Sequence, residues 1–180
     1  MTEIVWHGRG GQGAFTAARL LGIAASLYSG KFALSFPTFG PERRGAPVLG
    51  FTKIDDCRIA DRSEPFAANV RLFLDKTLLD SQIAWKLHPG GLILVNSSVP
   101  VQKSINGSQV ISIDATGLAL KILGIPVVNT AMLGALAGIH DEINVVAIEK
   151  AIKLEMKSSI VEKNLLLLHE AYNLSRKENR

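Results

Sequence analysis

Glu3-Ile4-Val5-Trp6-His7-Gly8-Arg9-Gly10-Gly11-Gln12-Gly13-Ala14-Phe15 is the stretch on which the fold turns. Glu3–His7 carries Ile, Val and Trp in succession, residues that favour an extended and buried backbone, and reads as a short inner strand. Gly8, Gly10, Gly11 and Gly13 then break any regular element. From Ala14 to Ser29 strong helix formers return with an apolar face, and Gly30 supplies a C-cap. Strand, glycine turn, helix is the opening of a wound α/β sheet, and Phe32–Ser35 is expected as the second strand of the unit.

Further along, Pro37–Pro47 holds three prolines and two glycines, too punctuated for a helix or an inner strand. Val48–Ile54 alternates as a strand, and Asp55-Asp56 is expected to turn it into Cys57–Ile59 as a hairpin, so the sheet should be mixed. Lys53, Asp55, Asp56 and Arg58 would form its solvated end. Val70–Leu74, Leu92–Val95 and Val110–Ile113 read as apolar strands, with a helix expected over Leu78–Leu87 and a break at Pro89-Gly90-Gly91. Ala115–Leu123 is a helix closed by Gly124, and Pro126–Asn129 a short strand or extended turn. Helices follow over Ala131–Ile139, Asn144–Met156 and Ser159–Arg176, the first rich in small residues that favour close packing. The expected fold is a single α/β domain over residues 1–180 with a Rossmann-like wound, mixed sheet.

The 180 residues are 47% hydrophobic and 20% charged, enough for one buried core, and the mean hydropathy of +0.22 suggests an additional buried interface. A net charge of +4, with its densest basic run in the tail around Arg176, Lys177 and Arg180, gives neither a phosphate-tracking stripe nor stacking platforms, so nucleic acid is not an expected partner. The longest apolar runs are too short to span a bilayer, and Met-Thr-Glu leads directly into a strand with no signal-peptide pattern; a soluble cytoplasmic protein is expected. The single Cys57 cannot form an internal disulfide or hold an iron–sulfur cluster, and a buried structural thiol is its expected role.

Gly8, Gly10 and Gly13 satisfy G-x-G-x-x-G between a strand and a helix. Such a loop brings free amides and the positive end of a helix dipole towards an anion such as a pyrophosphate. The same glycines could instead serve tight strand–helix packing or contact with another subunit, and on the motif both readings stand. A dinucleotide site also calls for a carboxylate ending the second strand. Gly30–Phe36 contains none, which weighs against a nicotinamide cofactor. The second constellation, Pro37-Thr38-Phe39-Gly40-Pro41-Glu42-Arg43-Arg44-Gly45-Ala46-Pro47, sets two guanidinium groups and a carboxylate in a rigid loop. Arg43 or Arg44 could grip a phosphate with Glu42 orienting its neighbour; intersubunit salt bridges are the alternative, favoured for at least one arginine.

Together, G-x-G-G-Q-G and P-x-F-G-P-E-R-R-G-A-P resemble the gamma subunit of pyruvate and related 2-oxoacid:ferredoxin oxidoreductases. The likeness continues through Val70–Gln82 with Asp75 and Leu78-Leu79, through Gly90-Gly91 to Asn96-Ser97, through Asn129-Thr130-Ala131-Met132-Leu133-Gly134, and to Lys163-Asn164. The charged loop resembles the pyruvate branch more than the indolepyruvate or 2-oxoglutarate branches.

The resemblance implies a reaction in which a 2-oxoacid adds to thiamine diphosphate and loses CO2, electrons pass through iron–sulfur clusters to ferredoxin, and coenzyme A takes the acyl group. It also implies that thiamine diphosphate, magnesium and the clusters sit on alpha, beta and delta partners or fused equivalents. The gamma chain would complete the assembly and help enclose coenzyme A. Gly8, Gly10, Gly11, Gln12 and Gly13 carry over as the glycine loop and Glu42, Arg43 and Arg44 as the charged loop, with no catalytic residue and no metal ligand on this chain. An isolated chain is expected to be inactive and could pair with itself. The competing readings are an independent NAD(P)-dependent Rossmann oxidoreductase and a purely structural interaction subunit.

Among the remaining candidates, His7 is expected to pack at a strand end, and His88, His140 and His169 show no metal-ligand spacing. Asn129 and Thr130 precede a helix, with Thr130 expected as its cap.

Overall fold

Strand β1 (Thr2–Arg9) runs through the middle of the molecule, and its alternation assigns each layer to one side of the sheet. The computed structural model describes residues 1–38, 44–79, 86–99, 101–105 and 107–178. The other strands are β2 (Phe32–Pro37), β3 (Pro47–Asp55), β4 (Ala68–Phe73), β5 (Leu87–Asn96), β6 (Ser104–Ile105) and β7 (Ser108–Ile113). Their order is β2-β3-β1-β4-β5-β7-β6. The strands β1, β4, β5 and β7 are mutually parallel, while β3 pairs antiparallel with both β1 and β2, and β6 antiparallel with β7. The sheet is therefore mixed, in a single α/β domain, as expected.

The helices are α1 (Ala14–Tyr28), α2 (Ala115–Leu123), α3 (Asn129–Ile139), α4 (Val145–Glu155) and α5 (Ser158–Glu178). Ile4 and Trp6 of β1, with Val70, Leu72, Leu94 and Ile111, form the face that all five helices cover. Val5 lies on the opposite face, where the buried clusters draw on Phe51, Phe73, Ile93 and Val95 and on no residue of those helices. Each large side chain so buried contributes about 1.5–3 kcal/mol. The polar groups beneath α1 are satisfied in series: the Trp6 indole donates to Thr52 Oγ1 at 3.1 Å, and the Thr52 hydroxyl donates to the Ala18 carbonyl at 3.0 Å.

Sequence rules account for several helix ends. Asp114 caps α2 by accepting from the Gly117 amide at 2.8 Å, and Gly124 ends it at φ 77°. Asn144 caps α4 by accepting from the Val146 amide at 2.9 Å. The small residues of α3 do bring about close packing: a Cβ on Gly134 would lie 2.1 Å from the Leu168 carbonyl oxygen of α5, so the two backbones touch there.

Several expectations need correction. Cys57–Ile59 forms no strand; β3 finds its antiparallel partners in β1 and β2, and residues 56–67 run as an irregular segment. Cys57 is exposed there, because no second strand folds it inward. Lys53 is not solvated: its side chain is fully buried, with Nζ 2.6 Å from Asp61 Oδ2 and 3.2 Å from Glu3 Oε1, since the strand alternation turns it towards the helix-free face. The expected helix over Leu78–Leu87 falls largely on residues 80–85, outside the described residues; at its ends, Lys76–Leu78 is a single 3-10 turn and Leu87 already belongs to β5. Pro89-Gly90-Gly91 lies inside β5, absorbed by a register shift against β4 between Ala68 and Val70. Thr130 is not a cap, because α3 begins at Asn129 after Val128.

The second strand also departs from a dinucleotide-binding unit. β2 lies at the sheet edge, separated from β1 by the antiparallel β3, which makes β1–α1–β2 a split βαβ. The place beside β1 where a ribose-binding carboxylate would stand is occupied by β3.

Candidate functional site

The glycine loop closes on itself where β1 ends. The Gln12 amide donates to the Arg9 carbonyl at 2.9 Å, and Gln12 Oε1 accepts from the Arg9 amide at 2.8 Å, so one residue satisfies both polar groups of the turn. Gly8 lets β1 approach α1: a Cβ there would lie 3.0 Å from the Ala14 Cβ. Gly13 caps α1 in the left-handed region at φ 81°, a conformation costly for any other residue. Gly11 takes φ 95° with nothing among the described residues within 4 Å of its Cβ position.

The charged loop enters at the same point. The Gly10 amide donates to the Ala46 carbonyl at 2.8 Å and the Gly45 amide to the Gly10 carbonyl at 3.2 Å, which sets Arg44 alongside Gly10 in a parallel bridge. Arg44 is exposed. Glu42 and Arg43 lie outside the described residues. The structure thus brings Gly8, Gly10, Gly11, Gln12, Gly13 and Arg44 together at the C-terminal end of β1.

Arg9, which the motif reading treats as a spacer, ties the two loops to the next strand. Its Nε donates to Asp75 Oδ2 at 2.8 Å, one terminal nitrogen to Thr77 Oγ1 at 2.8 Å, and the other to the Gly45 carbonyl at 3.2 Å. Burial works to raise the Asp75 pKa, but hydrogen bonds from the Thr77 hydroxyl and amide and the Arg9 guanidinium outweigh it and hold the carboxyl below the usual range. Beside this clasp, a crevice of about 430 Å³ opens at the C-terminal ends of the parallel strands, lined among others by Gln12, Asp75, Asn96, Asp114 and Thr116. Asn96 is fixed across it, donating from Nδ2 to the Leu74 carbonyl and to Thr116 Oγ1, both at 2.9 Å. Asn96 and Asp114 each follow an expected apolar strand, Leu92–Val95 and Val110–Ile113, directly in the sequence; Asn96 also falls within the family resemblance, whereas for Asp114 this position is the one signal that marks it beforehand.

His7 packs at the strand end as expected. Its ring stacks on Phe73 with centroids 4.2 Å apart and planes 13° apart, and Nε2 lies 3.3 Å from an Arg71 terminal nitrogen. Burial, then the charges of Arg71 and Lys86, push its pKa down to about 3. It is therefore neutral near pH 7, with Nε2 accepting from Arg71. Among the described residues no group of His, Cys, Asp and Glu is arranged to hold a metal ion.

The family described as pyruvate ferredoxin/flavodoxin oxidoreductase matches residues 3–174. The chain is 45% identical over 175 residues to the pyruvate synthase subunit PorC of Methanocaldococcus jannaschii, covering 96% of each chain. It is 41% identical over 179 residues to the common gamma subunit of the pyruvate/ketoisovalerate oxidoreductases of Thermococcus kodakarensis, again covering 96% of each. The crystal structure of the pyruvate oxidoreductase subunit PORC from Thermotoga maritima superposes with a TM-score of 0.82 at 34% identity, over 96% of this chain and 95% of that one. With matches of this depth running from the first strand into the last helix, the chain belongs to the pyruvate ferredoxin/flavodoxin oxidoreductase family.

Proposed function

We propose that this chain, as one domain over residues 1–180, is the gamma subunit of a multi-subunit 2-oxoacid:ferredoxin oxidoreductase of the cytoplasm, with pyruvate as the 2-oxoacid. The observation that carries the reading is identity of 45% and 41% over almost the full length of chains named as pyruvate synthase and pyruvate/ketoisovalerate oxidoreductase subunits. Among the described residues no helix is long and apolar enough to cross a membrane, which agrees with a cytoplasmic complex.

Decarboxylation and electron transfer rest on thiamine diphosphate with magnesium and on iron–sulfur clusters, which we assign to alpha, beta and delta subunits or fused equivalents that pass electrons to ferredoxin. The residues of this chain do not fit these groups: one cysteine cannot supply the roughly four thiolates of a cluster, and no Gly-Asp-Gly…Asn metal-diphosphate pattern occurs in the sequence. What it offers is a crevice lined by Gln12, Lys76, Asn96 and Thr116 among others, next to a glycine loop against which the exposed Arg44 is set. We assign Gly8, Gly10, Gly11, Gln12, Gly13, Glu42, Arg43 and Arg44 to contact with coenzyme A, which the chain helps to enclose and orient. The split βαβ disfavours an independent NAD(P) oxidoreductase, since β3 stands where the ribose carboxylate is needed.

A tagged chain purified without oxygen from its native source is expected to bring down thiamine- and cluster-bearing subunits and to reduce ferredoxin with pyruvate only when coenzyme A is present. Recovery of the chain alone, inert with 2-oxoacids, would overturn the assignment.

A further inference from the structure

The two edges of the sheet differ. At one edge β6 spans two residues, too short to template another strand. At the other lies β2, six residues paired with β3 without a bulge and carrying no charged side chain. Among the described residues no strand lies beyond it. A flat apolar edge pairs with another strand unless charge, proline or a bulge prevents it, and of these β2 has only Pro37, at its last position.

The backbone of this edge sets what it can accept. Beyond the strand the Thr38 amide donates to the Leu49 carbonyl at 2.9 Å. Antiparallel pairs alternate in bonding, so Phe36, Leu34 and Phe32, in step with Thr38, turn their amides and carbonyls to β3, while Ala33 and Ser35 turn theirs outward. Donors stop on either side: Pro37 has no amide hydrogen, and the Lys31 amide already donates to the Ala25 carbonyl at 3.1 Å. The side chains alternate too. The Ser35 hydroxyl donates to the Ala18 carbonyl of α1 at 2.9 Å, and Phe36 packs on Phe51 with ring centroids 5.0 Å apart, so Phe32, Leu34 and Phe36 share the helix-free face. Phe32 is 49% exposed there, and Leu34 and Phe36 are half-buried.

We propose that β2 pairs antiparallel with β2 of a second copy of this chain, about a two-fold axis through Leu34. This edge complements itself. With Leu34 opposite Leu34 of the second copy, Ala33 stands opposite Ser35 and the outward amides of both find carbonyls, while Phe32 stands opposite Phe36 on the helix-free face. A shift of two residues would leave a phenylalanine opposite Gly30 or Thr38, so the apolar side chains select this register. The two donor-free positions, Lys31 and Pro37, fall opposite each other and end the ladder. The helix layer fits as well. Ser35 and Thr52, on neighbouring strands, both donate to the Ala18 carbonyl, so α1 lies over the seam between β2 and β3. At a strand spacing of about 4.8 Å the two copies of α1 would lie about 10 Å apart, the spacing at which helices pack. Strands, helices and the apolar side chains together come to roughly the 1,200 Å² at which stable interfaces begin, and affinity in about the micromolar range is expected.

The test uses the full chain, free and within the oxidoreductase isolated with its partner subunits. In sedimentation velocity over a concentration series the free chain should dimerise. Ala33→Pro, which removes an outward amide and no bond to β3, should weaken the dimer at least about tenfold with an unchanged far-ultraviolet spectrum. Register is read by oxidation in a Cys57→Ser background. Leu34→Cys should link two chains, because facing residues of a pair that exchanges no hydrogen bonds have Cα atoms about 4.5 Å apart, and Phe32→Cys should not. Linkage at position 34 in the free chain or in the complex supports the proposal, and its absence from both overturns it, as does a dimer indifferent to Ala33→Pro or linked through position 32 instead. If Ala33→Pro fails to fold, linkage at position 34 decides. A complex with a single copy of this chain whose Ala33 and Ser35 amides resist hydrogen exchange would assign the edge to another subunit and overturn the proposal.

Discussion

Arg9 and Asp75 are 66 positions apart in sequence, yet the guanidinium Nε lies 2.8 Å from the carboxylate and joins the end of β1 to the turn after β4. Because Arg9 also reaches the Gly45 carbonyl, this one ion pair sets the spacing of the glycine loop, the charged loop and the crevice. Both partners are partly exposed, so the pair contributes no more than about 1 kcal/mol to stability. Arg9→Met should therefore leave unfolding nearly unchanged while raising the KM for coenzyme A by up to roughly fivefold at constant kcat. Steady-state kinetics of the assembled complex would check it, and an unaltered KM would count against the clasp. Asp75 is held below its ordinary range, so the pair persists at neutral pH and is lost only as pH falls through the lowered value.

His7 predicts an acid-sensitive core. Its pKa is about 3 in the folded chain against an ordinary 6.5, so the unfolded chain binds the proton more readily. Stability from this residue is fully present above pH 6.5 and declines as pH falls towards 3. His7→Phe, which keeps a ring against Phe73, should flatten that part of the stability profile in urea unfolding at stepped pH. A profile as steep as the original would assign the acid sensitivity elsewhere.

Lys53 is fully buried between Asp61 and Glu3. Burial opposes its charge, but the hydrogen bonds to Asp61 and Glu3 more than offset this, and the pKa sits above the ordinary lysine value. Lys53→Met should cost about 3 kcal/mol, since it strands the largely buried Glu3 carboxylate. Adding Glu3→Gln should recover part of the loss, a non-additivity that a double-mutant cycle in denaturant would measure.

Two glycines should respond differently to alanine. At Gly134 the added methyl would meet the Leu168 carbonyl at 2.1 Å, and overpacking of about 1–3 kcal/mol exceeds the helix-propensity gain of under about 1 kcal/mol. At Gly11 nothing among the described residues lies within 4 Å, and the cost is that of the left-handed backbone, about 1–2 kcal/mol. Gly134→Ala should disturb the packing of α3 on α5 and lower the unfolding midpoint, whereas Gly11→Ala should act on the loop and on coenzyme A. Equal effects of both on the KM would contradict this division.

Local chemistry was enough to read most of this molecule from its chain of residues. The apolar run of β1, the glycines that stop it, and Gly124 closing α2 act within a few positions, so periodicity and turn chemistry announce them. Contacts between distant segments are a different matter. Nothing near Val48–Ile54 says that it pairs with both β1 and β2 instead of turning back on Cys57, because strand pairing depends on which partners the rest of the fold brings alongside. Lys53 looks solvated in a run of charges, but the pleat of β3 turns it inward, where Glu3 and Asp61 arrive from elsewhere. The candidate site divides the same way. Gly8, Gly10 and Gly13 are legible as a loop, while Arg9 with Asp75 exists only once β4 has packed beside β1, since what pairs them is proximity in space and not spacing along the chain.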